Sequence, residues 1–502
     1  DQGQVYVYAN NDVAIDNRIT THLAFDESQR EKSGLLGTNK TSRTQDSAQS
    51  RVEGAVVSGR SVFIDAGRDA TVQASQVLAD DQAVVRAQNT VRVLSAEQVE
   101  QQASSFDSRK AGLFTNGGLN ATLGVQEQQQ RSSDQRVTQT GSVIGALQGP
   151  VVIDAGKLYT QVASDVIAAK GDVSIQAQRV DITAATEQVH QRSQSHFEQT
   201  GRSVSITSAV VDTVNTVRQM GDAVERTDDA RLQSLAAASA ALSVKNTADA
   251  IQASGGNPAV VNLSTSIGRT VSDSRSSYDA ATAAGSRVQA GGSVSIRATG
   301  AGADSTLNLI GSSVQSGGDT ALIADGAINL LAAQNTVERR SDTRSQSGSI
   351  GVGMVLGGAD GSNGLYATAS GSRSTGQSEG TDQTWTNTQV NAGGNVLLQS
   401  GTDTTLRGAV VRGDSITGRI NGVLRIESLQ DSRTTNSDQN TVGGSLTVSQ
   451  TSVSGSANYG KSDINSDYTA VTEQSGLFAG DGGFDVTAKQ GTYLNGGVMA
   501  ST

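Results

Sequence analysis

Residues 292–298 read GSVSIRA. Val294 and Ile296 alternate with polar residues, Ala298 closes the run, and a glycine opens it. Spacing of two puts Val294, Ile296 and Ala298 on one face of a short strand. The phrase recurs along the chain. It appears as GQVYVYA (Val5, Val7, Ala9), RSVFIDA (Val62, Ile64, Ala66), GPVVIDA (Val151, Ile153, Ala155) and GDVSIQA (Val173, Ile175, Ala177). It returns as GDTALIA (Thr320, Leu322, Ala324), GNVLLQS (Val396, Leu398, Ser400) and GFDVTA (Phe484, Val486, Ala488). Val151 to Val173 is 22 residues and Val294 to Thr320 is 26. Each interval is one turn of a parallel β-solenoid, whose units run to roughly 20 residues. The other gaps, of 57, 89, 121, 76 and 88 residues, are too long for one turn and must hold further turns or insertions. Val62, Ile64, Val151, Ile153, Val173, Ile175, Val294, Ile296, Val396, Leu398 and Val486 are expected to point into a narrow core.

Composition favours the same architecture. Aromatics make up 3% of the 502 residues, proline occurs 2 times and glycine 57 times. A large round core needs bulky side chains to reach crystal-like density. A stacked, quasi-one-dimensional fold fills a thin core with small aliphatics. The net charge of −11 argues against nucleic acid as a partner, because phosphate binding needs a basic surface. With no cysteine, disulfides and thiolate metal sites are excluded, and an exported bacterial protein fits. No signal peptide is visible, and no run of about 18 apolar residues offers a membrane helix. The chain starts within a strand-like pattern, as a fragment of a longer protein would.

The long gaps share a signature. A strand ends and a polar stretch departs, as in AIDNRITTHLAFDESQREK, VLSAEQVEQQASSFDSRK, ITAATEQVHQRSQSHFEQ, LLAAQNTVERRSDTRSQ and RIESLQDSRTTNSDQ. Several departures run on into glycine-rich apolar segments that read as hairpins. KAGLFTNGGLNATLGV (110–125) has a turn at Asn116-Gly117-Gly118, and GGSLTVSQTSVSGSANYG (443–460) is strand-like. GSIGVGMVLGGADGSNGLYATASG (348–371) turns around Asp360-Gly361-Ser362-Asn363. One excursion differs. Val210, Val214, Val217 and Val224, then Leu232 and Leu235, fall at helical spacing. Thr227 before Asp228-Asp229 reads as an N-cap, and GGNP at 255–258 ends the pattern. The fold predicted is all-β. It is a right-handed parallel β-helix with protruding β-hairpin excursions and one helical insertion, continuous over 1–502. Excursions are placed at about 18–55, 97–145, 187–288 (helical part 208–253), 335–390 and 430–480.

These phrases resemble filamentous-haemagglutinin repeats. GAINLLAAQNTVERRSDTRSQSGSIGVGM, and TDDARLQSLAAASAALS after VVDTVNTVRQ, resemble the second haemagglutinin-repeat region of CdiA-type contact-dependent inhibition effectors, over roughly 1–500. The resemblance implies an internal segment of a large exoprotein. Such proteins are exported by an outer-membrane transporter in two-partner secretion and displayed on a Gram-negative cell. It further implies transfer to the target-cell outer membrane, to its lipid or to an outer-membrane protein, aiding toxin passage.

Transmembrane β-strands need about 9–11 residues with alternating apolar side chains and few charges. The arms SGSIGVGMVLGG and NGLYATASG approach that pattern. Candidate membrane-contacting residues are Leu113, Phe114, Ile350, Val352, Met354, Leu356, Leu365 and Tyr366. Hairpins packed on the shaft or on one another would show the same alternation. His22, His190 and His196 lie in polar stretches, and the last two are spaced six apart rather than the four of a helical metal pair. No catalytic residue, metal or cofactor is expected. Asp65 and Asp154 repeat by position, which favours turn-forming acids over a catalytic pair. Trp385 suits either a hairpin base or a membrane interface. A non-enzymatic delivery module is the leading reading. A passive adhesin stalk and a carbohydrate-acting β-helix enzyme are the alternatives.

Overall fold

A computed structural model describes residues 3–115, 120–207, 261–356 and 364–502. The helical excursion expected over 208–253, and the turns at 116–118 and 360–363, lie outside the described residues.

The shaft is a parallel β-helix. Each rung contributes up to three short strands that pair in parallel with the equivalent strands above and below. The repeat phrase forms one face. Val151–Ala155, Val173–Ala177, Val294–Ala298, Thr320–Ala324 and Val396–Ser400 stack in register, so Val151 pairs with Val173, Val173 with Val294 and Val294 with Thr320. A second face stacks Val143–Ala146, Asp165–Ala168, Arg287–Ala290, Ser313–Ser316 and Thr388–Ala392. Long strands that run through both faces, such as Val56–Ala66 and Ala409–Ile420, join them into one 16-stranded sheet. The third face is a separate 10-stranded parallel sheet running from Val13–Ile15 to Gly491–Asn495.

The alternation read from the sequence is the inside–outside alternation of this prism. Ile64, Ile153, Ile175, Ile296 and Leu398 are buried in one continuous core. Val486 is only half-buried, against expectation. It lies in the last full rung, where one side of the stack has little cover, and Val5 and Val7 in the first rung are half-buried for the same reason. Asp65 and Asp154 sit within strands and face solvent, so they are not turn residues. Their side of the strand is the outer one, where a carboxylate costs nothing to place.

The corner after the third face alternates between two forms. At every other rung the chain turns directly, through a residue with left-handed backbone: Ala74 (φ 43), Ala163 (φ 42), Gly311 (φ 55), Gly408 (φ 65) or Gly496 (φ 62). At the remaining rungs the chain leaves as a long hairpin and returns to the same corner. A ladder of buried hydroxyls ties the corners together. The Ser142 amide donates to Ser164 Oγ (3.0 Å) and the Ser286 amide to Ser312 Oγ (3.2 Å). The Ser142 and Ser286 hydroxyls donate in turn to the carbonyls of Leu94 (2.7 Å) and Thr183 (2.8 Å). A corner that carries no ladder bonds of its own sheet thus keeps its buried polar groups paired.

Two of the five direct corners hold alanine in a conformation that costs an L-residue about 1–2 kcal/mol. Ala163→Gly removes that strain and gives back part of it as unfolded-chain entropy. A net stabilisation of about 0.5 kcal/mol is expected, read as a higher denaturation midpoint. A lower midpoint would mean that the packing of the buried methyl outweighs the backbone strain.

Candidate functional site

The five hairpins leave the shaft after Val13–Ile15, Thr90–Leu94, Arg179–Thr183, Ile328–Leu331 and Val423–Glu427. Their arms are Arg18–Gly34 and Gly37–Glu53, Ala96–Thr115 and Asn120–Thr140, Ala185–Thr207 and Val261–Ala284, Ala333–Leu356 and Gly364–Thr386, and Asp431–Ser449 and Val453–Ala470. They pair edge to edge, in chain order, into one 10-stranded antiparallel sheet. Spacing explains how this is possible. Strands in a sheet lie about 4.8 Å apart, so two rungs rise about 9.6 Å, which is the width of one two-stranded hairpin. A hairpin emitted at every second rung therefore meets its neighbour at hydrogen-bonding distance.

The arms divide lengthwise. Near the shaft they are polar and joined by side-chain bonds. Asp382, 7% exposed, lies between Arg339 (2.9 Å) and Arg433 (2.7 Å). Trp385 anchors the same region, donating from Nε1 to the Gln430 carbonyl (3.0 Å), which settles its place at a hairpin base. His190 pairs with Asp279 (2.6 Å) and His196 with Asp273 (2.7 Å), each across neighbouring strands. Among the described residues no cluster of three or more His, Asp or Glu is placed to hold a metal.

Burial works against the Asp382 carboxylate, but its bonds to Arg433 and Arg339 outweigh it and hold the carboxyl below its usual range. A depressed acid contributes stability above its unfolded value, here 3.8, and loses it as pH falls from there through the lowered folded value. Asp382→Asn leaves both guanidiniums facing a neutral amide, at an expected cost of about 1–3 kcal/mol. Amide exchange of 333–340 and 431–436 should quicken in the variant at neutral pH. In the parent the protection of these amides, relative to their intrinsic exchange, should be lost only as pH falls below the ordinary carboxylate range. Equal exchange in both proteins at neutral pH would show that the triad does not hold the base.

Further out the sequence changes character along one transverse line. Gly37, Gly112, Gly124, Gly201, Gly268, Ser349, Ser370, Ser445 and Ser456 lie opposite one another across nine strands. The strands approach closely there: a Cβ built on Gly124 would stand 2.2 Å from the Thr200 carbonyl oxygen. Beyond the line the sheet is two-faced. Register places Leu123, Val204, Ile206, Leu263, Ile267, Ile350, Val352, Met354, Leu446, Val448 and Val453 on one face. The opposite face carries Thr122, Ser203, Ser266, Gly351, Thr368, Thr447 and Ser454, one residue per strand in a single row. The apolar face is open: Ile350 is 72% exposed, Ile267 66% and Val453 70%. It spans three to seven described residues on each of eight strands, on the order of 600 Å², with Arg202 seated in it between Leu123 and Ile267; the largest patch on an ordinary monomer is about 300–600 Å².

Of the candidate contact residues, Leu113, Ile350, Val352, Met354, Leu356 and Leu365 share this face. Phe114 and Tyr366 fall on the opposite one, and the Tyr366 hydroxyl donates to Asn262 Oδ1 (2.5 Å). Apolar character had grouped them, whereas the pleat separates neighbours in sequence. The alternation along Val204, Ile206, Leu263 and Ile267 carries the same signal and was readable beside the arms singled out.

Comparison with known proteins gives the same lineage. The Hemagglutinin repeat family model matches residues 36–157, 123–250 and 267–442. Toxin CdiA of Escherichia coli is 34% identical over 95% of this chain and 16% of its own length. tRNA nuclease CdiA of Escherichia coli (strain STEC_O31) is 32% identical over 100% of this chain and 16% of its own. Deoxyribonuclease CdiA of Yersinia pseudotuberculosis serotype O:3 (strain YPIII) is 33% identical over 86% of this chain and 40% of its own. The chain spans about a sixth of the length of the first two relatives. No solved structure matches it. With family matches over most of its length and an alternating shaft-and-hairpin architecture beneath them, the chain belongs to the haemagglutinin-repeat family, as a CdiA-type repeat region.

Proposed function

We propose that this chain is a non-enzymatic internal segment of a surface-exposed toxin-delivery exoprotein of a Gram-negative bacterium, acting in contact-dependent inhibition. Its shaft and hairpins form one continuous unit over 1–502. The full-length protein leaves its own cell through the outer-membrane transporter of a two-partner secretion system. The segment then meets the target-cell outer membrane, where it aids passage of a toxin. The observation that carries this reading is the uncovered apolar face of the distal hairpins, backed by a face of serine, threonine and glycine. A spacer has no use for such a surface.

The arms support the lipid assignment by their length. Gly348 to Leu356 is nine residues, about 30 Å of strand, near the 9–11 residues that cross a hydrocarbon core. Leu113, Ile350, Val352, Met354, Leu356 and Leu365 are the residues assigned to lipid, and Phe114 and Tyr366 to the reverse face. The names of the relatives support a non-enzymatic role. A toxin, a tRNA nuclease and a deoxyribonuclease share this stretch, so what differs between them is not set by it. Flotation of the chain with lipid vesicles tests the reading. Chain that stays at the bottom of the gradient would return it to a passive stalk.

A further inference from the structure

We propose that Arg202 fixes how deep the apolar face enters lipid and holds the lipid boundary at the transverse glycine and serine line. The inference rests on the reading that this face meets lipid. Arg202 stands one residue beyond Gly201, a member of that line, on the arm Ala185–Thr207. Register puts it opposite Leu123 and Ile267 on the neighbouring strands, so it belongs to the apolar face. An aliphatic residue there would complete the row. Arg202 is exposed, and its Nε donates to Thr265 Oγ1 (3.1 Å). No acid lies within two residues of it on its own strand, or within two of Leu123 and Ile267 on theirs.

Among the described residues of the arms, Arg202 is the one charge beyond the line. Shaftward of the line, charge resumes within three residues. Arg269 pairs with Glu198 (2.9 Å) and Arg109 with Glu127 (3.1 Å). Carrying these ion pairs into hydrocarbon would strip both partners of water, so lipid stops short of them. Arg202 acts from the other side. A cation on a lipid-facing strand costs little at the interface and much at the midplane. The aliphatic stem of arginine lets its head reach water only from near the boundary. The apolar residues beyond draw the sheet inward, Arg202 resists, and the balance falls where its guanidinium meets the interface. Met354, four residues or about 13 Å beyond Ile350, then lies near the middle of a core about 30 Å thick.

The chain contains no cysteine, so one introduced cysteine carries one dye. Gln346, Ile350 and Met354 lie four residues apart on one strand and share the apolar face. Dyes at Gln346→Cys, Ile350→Cys and Met354→Cys of the whole chain are read on phosphatidylcholine vesicles. The vesicles bear a spin label either near the headgroup or near the acyl-chain end, and iodide serves as the aqueous quencher. The Ile350 dye should be quenched best by the shallow label, the Met354 dye by the deep one, and the Gln346 dye by iodide alone. Adding Arg202→Leu should tighten vesicle binding about tenfold, the worth of burying one leucine. It should also move quenching of the Ile350 dye from the shallow label toward the deep one. Arg202→Lys should keep the parent depth, because lysine reaches the interface in the same way. Lipid quenching of the Gln346 dye in the parent would overturn the boundary. An unchanged depth of the Ile350 dye in the Leu variant would overturn the role of Arg202 and leave the lipid reading standing. Failure of the parent to bind the vesicles would overturn both.

Discussion

Ile296→Asp is expected to cost the shaft at least about 4 kcal/mol and to abolish its cooperative melting. Ile296 is fully buried and stacks in register between Ile175 and Leu322. An unpaired carboxylate there loses its hydration and gains no partner. In a globular core the loss would be spread over many neighbours. In a solenoid each rung touches only the two beside it, so one bad rung weakens both of its interfaces and splits the stack into two shorter pieces. Thermal and denaturant melts followed by circular dichroism check the outcome. An unchanged melting temperature would mean that Ile296 does not face the core.

The second large effect is expected at the other end of the molecule. Val352→Lys with Met354→Lys should reduce binding to neutral vesicles by more than about 100-fold, since a lysine on a lipid-facing strand costs roughly 2–4 kcal/mol at mid-bilayer. Both positions lie on the apolar face, Val352 opposite Thr265 and Ala367, Met354 opposite Leu263 and Leu365. Val352 is 57% exposed, so lysine is tolerated there by the unbound chain and the shaft should melt as before. Neutral vesicles are needed because added cations would draw the chain to anionic ones. Undiminished flotation of the double variant would remove this face from the lipid contact.

The repeat phrase was legible because a thin core makes every second residue of a short strand decisive. Val294, Ile296 and Ala298 announce a face with only five residues. The corners also left a trace that went unread. QAS at 73–75, VAS at 162–164 and IGS at 310–312 mark the direct turns, each pairing a left-handed Ala or Gly with a ladder serine. The pairing between hairpins had no local trace. Ala281 of the third hairpin meets Thr336 of the fourth across more than fifty residues of chain, and only the shaft brings the two arms together. Within the site, apolar character identified Ile350 and Val352, but the same criterion swept in Phe114 and Tyr366, whose side chains the pleat turns the other way.

The shaft and the hairpin sheet behave as two lattices grown side by side with commensurate periods, two steps of one for each cell of the other. Neither can change length alone. Removing the rung that turns at Ala163 would place two hairpins on adjacent rungs, four strands where the shaft allows room for about two, a dislocation running the width of the sheet. A segment of this kind can be lengthened or shortened only by whole cells, each a direct rung together with a hairpin-bearing one. Its natural unit of duplication is therefore the pair of turns and not the single turn that the 22-residue spacing of Val151 and Val173 first suggests.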